Sequence, residues 1–233
     1  MSIKGNVAAV RERIAEAAKA AGRDPKEILL CAATKMNDAE AVKEAVAAGV
    51  DLCGENRVQE LCEKLPQGAY TGVPVHFIGH LQTNKVNKVV GFADLIQSVD
   101  RQNLLECIEK EAAKKGITQD ILLEVNIGAE ESKSGFTPGQ AQDIAAQMAQ
   151  YPHTRLRGLM AIPPIAEVPG ANRTFFAQMY ALSVDIAAKK YDNVTMDYLS
   201  MGMSGDYADA IAEGSTMIRV GTAIFGPRNY NQK

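Results

Sequence analysis

Lys35 is the side chain whose type and position speak first of chemistry. It follows at once on the apolar run Ile28 to Thr34, ILLCAAT. A lysine at the inner end of such a run loses solvation, which favours the neutral amine that attacks a carbonyl carbon. The plain alternative is a strand-end lysine that carries its ammonium out to water. A second group lies near the C-terminus. Ser200, Gly202, Ser204 and Gly205 precede a helix expected around Asp206 to Ala212, and Gly221 and Thr222 follow the run Ile218 to Val220. Small and hydroxyl residues before a helix offer backbone N–H groups to a phosphate. The same residues also serve as turn glycines and an N-cap serine. Arg219 either pairs with a structural carboxylate or faces a ligand's ring nitrogen or phosphate.

His80, in the segment VHFIGHLQTNK from Val75 to Lys85, touches a ligand or caps and packs. His76 reads as an interior histidine and His153, after Tyr151-Pro152, as loop surface. Met201 and Met203 read as packing, and Met160 is a weaker candidate at a strand end. No histidines stand as HxH or HxxxH, and Cys31, Cys53, Cys62 and Cys107 are scattered. Neither a metal site nor a disulfide is expected.

Lys and Arg number 25 against 28 Asp and Glu, a net charge of −3, which builds no positive field for nucleic acid. No apolar stretch reaches the roughly 18 residues of a membrane span. Lys4, Arg11, Glu12, Arg13, Glu16 and Lys19 stand where a signal peptide is apolar, so a cytoplasmic protein is expected.

The elements that must position these residues follow from hydrophobic spacing. Val7, Val10, Ile14, Ala17 and Ala21 recur at the helical period up to Gly22. Ile28 to Thr34 is then a strand buried on both faces, and Asn37 with Glu40 resembles a capping box for a helix ending at Gly49. The alternation continues with strands at Val50 to Cys53, Val75 to Ile78 and Leu95 to Val99, and with helices from about Arg57, Gln82 and Asn103. Further strands are expected at Ile121 to Asn126, Leu156 to Ile162, Met196 to Met201 and Ile218 to Val220. The intervening helices fall after Pro138, around Ala171 to Ala188 and around Asp206 to Ala212.

Strands alternating with helices pair in parallel through crossovers. Eight in this length predict a single-domain α/β protein spanning residues 1–233, a (β/α)8 TIM barrel with an additional N-terminal helix. An open doubly wound sheet would want a glycine-rich turn where this chain has Lys35-Met36-Asn37. In a barrel the loops leaving the C-terminal strand ends carry the site, and Lys35, Asn56, His80, Met160, Ser200, Gly202, Arg219, Gly221 and Thr222 fall at those ends.

The run ending in TK at Lys35, HFIGHLQTNK, GLMAIPP from Gly158, LSMGMSGDYADAIAEG from Leu199 and IRVGTAIFG from Ile218 together resemble the pyridoxal phosphate homeostasis (binding) protein family. That family is similar to the barrel domain of bacterial alanine racemase. The resemblance implies pyridoxal 5′-phosphate held as an aldimine on Lys35. It places the phosphate on Ser200, the loop Gly202, Met203 and Ser204, and Gly221 and Thr222. Arg219 then lies toward the pyridine nitrogen, and Asn56, His80 and Met160 line the ring.

The implied function is a monomeric carrier in intracellular pyridoxal phosphate homeostasis, with apo-enzymes as possible recipients and no established turnover. An arginine at the pyridine nitrogen disfavours transamination. The alternatives are a pyridoxal-phosphate-dependent amino-acid racemase, with Tyr207 or His80 as second proton donor, and an aldolase-like barrel using Lys35 without a cofactor. The chain ends at Lys233, soon after the eighth strand, so an open cofactor face is expected. Some bacterial members carry extra lysines that move the cofactor on and off. Here Met36-Asn37-Asp38 and Pro227-Arg228-Asn229 replace them, while Lys133 in ESKSGF matches.

Overall fold

The structure is a computed structural model that describes residues 2–130, 133–165, 168 and 170–227. Eight parallel strands close into a barrel in chain order: β1 (Leu29–Ala33), β2 (Leu52–Glu55), β3 (Val75–Phe77), β4 (Leu95–Val99), β5 (Gln119–Val125), β6 (Thr154–Ala161), β7 (Val194–Met203) and β8 (Met217–Val220). The helices are α1 (Ile3–Ala20), α2 (Ala39–Ala47), α3 (Val58–Lys64), α4 (Gln102–Lys115), α5 (Pro138–Ala146), α6 (Arg173–Lys189), α7 (Tyr207–Ala212) and α8 (Thr222–Phe225). The expected TIM barrel and its extra N-terminal helix are therefore present.

α1 forms because Val7, Val10, Ile14 and Ala18 fall on one buried stripe and the Ser2 side chain caps the first turn. It lies against α2, α7 and α8, covering the seam where β8 pairs with β1. Successive strand residues alternate between two cores. Outward positions such as Leu30, Ala32, Phe77, Ile96, Ile121, Leu123 and Ile218 pack under the helices. Inward positions fill the barrel: Cys31, Leu52 and Met217 with Leu29, and Leu95, Leu122 and Met160, both groups touching Tyr198.

Three local expectations need correction. α2 is capped by Asp38, whose carboxylate accepts from Ala41 N at 2.8 Å. Asn37 instead donates to the Lys35 carbonyl at 3.0 Å, tying down the turn before the helix. β2 starts at Leu52, two residues later than the apolar run suggests. After β3 the chain forms a 3-10 helix, Thr83–Lys88, with no α-helix. Val86 within it and Val89 just after it stand three apart, matching the tighter repeat, and Gly91 at φ +75° turns the chain away.

Candidate binding site at the barrel mouth

Lys35 continues the inward register of Leu29, Cys31 and Ala33, one step beyond the end of β1, and is half-buried. Its neighbours are held from outside the barrel. The Lys64 ammonium is 5% exposed and donates to the Thr34 carbonyl at 3.0 Å, Glu55 at 2.9 Å and Glu60 at 2.7 Å. All three of its donors are used. Thr34 Oγ1 donates to Glu55 at 2.8 Å, and Met36 N donates to Glu60 at 2.8 Å. This clamp secures the residues on either side of Lys35, including Met36 in the left-handed region at φ +62°. Beside them opens a cavity of about 410 Å³ lined by Ala33, Lys35, Arg57, Gly221, Thr222 and Phe225, among others. Pairing of β8 with β1 is what brings Gly221 and Thr222 beside Lys35.

Beneath the mouth lies a buried polar layer inside the barrel. Arg219 is 5% exposed and donates from Nη1 to Ser200 Oγ at 2.6 Å and from Nη2 to the Ala161 carbonyl at 2.9 Å. It makes no salt bridge among the described residues. Burial lowers its pKa, opposed by the carboxyl groups of Glu124 and Asp206. Ser200 donates to Gln97 Oε1 at 2.6 Å, and Gln97 Nε2 lies 2.9 Å from His76 Nδ1. Burial pushes His76 down to about 3, so it is neutral. Ser200 is fully buried with its hydroxyl taken. It therefore supports Arg219 from below the mouth. Met160 shares this depth, packed with Leu95 and Leu122.

Across the mouth, Asn56, His80, Glu124, Asn126 and Lys133 border a second cavity of about 360 Å³. Asn56 can sit there because Gly79 has no side chain: a Cβ would fall 2.1 Å from the Asn56 carbonyl oxygen. The Asn56 side-chain oxygen is buried without a hydrogen-bond partner. His80 is exposed, with Nδ1 3.2 Å from Asp100 Oδ2. Glu124 has its pKa raised to about 7 by burial and by the field of Asp100, against the pull of Arg219. Lys133 pairs with Glu130 and reaches the Pro163 carbonyl at 3.4 Å.

The β7–α7 loop divides its residues. Gly202 is buried at φ +93°, where a Cβ would meet Ala210 at 2.6 Å. Met201 packs in the core as expected, whereas Met203 is exposed at 36%, because its strand position lies beyond the last packed layer. Ser204 borders a separate depression against Arg13 and Ala17 of α1. Tyr207 is buried beneath this loop and does not line either mouth cavity. His76 is interior as expected. His153 is bound at the barrel's other end, with Nδ1 2.9 Å from Glu109. Arg228 and Asn229 lie outside the described residues.

Lys35, Gly221 and Thr222 thus share one cavity, and Asn56 and His80 share the opposite one. Sequence reasoning missed Glu124, Gln97, Asp100 and the Lys64 clamp. A signal existed for the first two, since each is a polar residue two places after an inward leucine, Leu122 for Glu124 and Leu95 for Gln97. Among the described residues there is no group of three or more His, Cys, Asp or Glu able to hold a metal ion, and no helix long and apolar enough to cross a membrane.

Residues 5–229 match the family described as alanine racemase, N-terminal domain. Fold and match define the class, a barrel of the racemase N-terminal type. The pyridoxal phosphate homeostasis protein of Aquifex aeolicus (strain VF5) is 42% identical over 221 residues, covering 95% of this chain and 96% of that protein. An unknown protein from Bifidobacterium adolescentis has a crystal structure 40% identical in sequence, with a TM-score of 0.91 over 96% of this chain and 94% of that one. PipY of Synechococcus elongatus PCC7942, solved with PLP bound, is 32% identical with a TM-score of 0.82, over 97% of this chain and all of that one, 100%. This chain belongs to the pyridoxal phosphate homeostasis protein family.

Proposed function

We propose that this chain binds pyridoxal 5′-phosphate covalently through Lys35 and acts as a cytoplasmic, monomeric carrier in pyridoxal phosphate homeostasis. The observation that carries the reading is the single cavity in which Lys35 from the first strand meets Gly221 and Thr222 after the last. When bound, the cofactor supplies an aldehyde that condenses with a primary amine and expels water. Lys35 would supply that amine. The Thr222 hydroxyl, the Gly221 amide and the Gly202 to Ser204 loop would hold the phosphate.

The donor set fits the group. Asn56 presents a buried oxygen still lacking a donor, and a hydroxylated ring between Asn56 and His80 would supply one. Arg219 can only donate, so a ring nitrogen facing it stays unprotonated and the ring is a weak electron sink. That favours holding the cofactor over turning a substrate over. Apo-enzymes that need the cofactor are the partners this reading implies. Its cytoplasmic part is supported by the four cysteines, which are free.

Protein supplemented with pyridoxal phosphate is expected to absorb near the visible edge and to lose that band in Lys35→Ala. An unchanged spectrum in the variant overturns the reading. Incubation with single amino-acid enantiomers in D2O separates carrier from racemase. Exchange of the α-proton no faster than with free cofactor is expected, and exchange far above it would establish the enzyme.

A further inference from the structure

We infer that Gln97 and His76 are positioning residues for Arg219: acting through Ser200, they lock the guanidinium in one orientation beneath the mouth, where it meets a cofactor ring only as a donor. The inference rests on the proposed placement of the ring against Arg219.

Coordinates alone do not distinguish the two ends of a glutamine amide or the two tautomers of an imidazole. Here the chemistry of the chain does. A guanidinium has no acceptor, so Ser200 Oγ, 2.6 Å from Arg219 Nη1, must accept from it. The serine proton then needs an acceptor of its own, and Gln97 Oε1 lies 2.6 Å away. That fixes the amide: Gln97 Nε2 is the donor that lies 2.9 Å from His76 Nδ1. Nδ1 must therefore accept, and the imidazole carries its proton on Nε2. A proton on Nδ1 would set two donors face to face. Every bond in the chain thus runs one way, from Arg219 through Ser200 and Gln97 to His76.

All four residues are buried, between 0% and 5% exposed, so each member left unsatisfied is costly. The Gln97 amide also reaches Met217 Sδ at 3.1 Å, and Arg219 Nη2 is fixed on the Ala161 carbonyl. With Nη1 and Nη2 each anchored on the barrel side, rotation of the guanidinium would break two hydrogen bonds at once. Its remaining N–H groups are the ones left for a ligand.

The first readout needs no cofactor. In 15N-labelled apo-protein, His76 is expected to hold the Nε2–H tautomer over about pH 5 to 9, and a protonated Nδ1 there overturns the chain's direction. In Gln97→Glu, Ser200 keeps its acceptor but His76 now faces one, so the proton is expected to move to Nδ1. A tautomer unchanged in Gln97→Glu contradicts the inference. The second readout is the ring-nitrogen resonance of bound pyridoxal phosphate labelled at that nitrogen. Ser200→Ala removes only the linking hydroxyl, and Gln97→Leu removes the next link. Both are expected to shift the signal toward its protonated position. A merely structural role would lower thermal stability and leave the resonance in place, and that result overturns the inference. If Gln97→Leu does not fold, Ser200→Ala carries the comparison. Wild-type protein that shows no bound-ring resonance would instead overturn the cofactor reading itself.

Discussion

Around Lys35 the charges belong to two separate systems. The Lys64 clamp faces the helices, while Glu124 faces the interior between Asp100 and Arg219. Glu124 carries a testable pH dependence. Its folded-state pKa, about 7, lies above the ordinary carboxylate value, so the folded protein binds a proton more readily than the unfolded chain. The stabilising contribution is complete at low pH, below the unfolded value, and is lost as pH rises toward and through 7. Glu124→Gln is expected to flatten this slope and to gain on wild type by roughly 1 to 2 kcal/mol between pH 5 and 8, read as the difference in Tm. A constant difference across that range would contradict it. At this scale the sequence was partly legible. Lys35, Gly221 and Thr222 stood out because they follow apolar strands directly. For Ser200 the sequence showed a hydroxyl in a small-residue loop but not the strand register that sets it against Gln97 and Arg219.

Among the elements, the β1–α2 turn bears most on the site. Lys64→Met would leave the fully buried Glu55 without its cation. Removing one member of a buried pair costs about 3 to 5 kcal/mol, which in a domain of this size is a Tm loss of roughly 10 °C. Glu55→Gln combined with Lys64→Met should recover part of it. Calorimetry on the single and double variants checks both. A loss in the double variant equal to the sum of the two single losses would show that the charges do not depend on each other. Asp38→Ala removes the α2 cap and is expected to cost about 1 kcal/mol, read by thermal unfolding. The strands were readable because burial on both faces writes continuous apolar runs. The Thr83–Lys88 segment was not, because two valines three residues apart fit a 3-10 turn and an α-helix equally well until its length is known.

At the scale of the molecule, closure of the barrel creates the site: Lys35 and Thr222 are 187 positions apart in sequence and line one cavity because β1 and β8 are neighbours. Closure was inferable from the count of strands, whereas the depth at which each loop residue settles depends on register shifts such as that between Ser200 and Met203. If the cofactor binds only the closed barrel, pyridoxal phosphate at 100 times its Kd should stabilise the protein by about 2.7 kcal/mol. Most of that gain should vanish in Lys35→Ala, as read by thermal unfolding. The most direct measurement is chemical. Protein loaded with pyridoxal phosphate is reduced with borohydride, digested and mapped by mass spectrometry. The expected result is a stable pyridoxyl phosphate adduct on the peptide containing Lys35, in equal amount to the chain. An adduct spread over surface lysines, or confined to Lys133 with Lys35 unmodified, would contradict the covalent role proposed for Lys35.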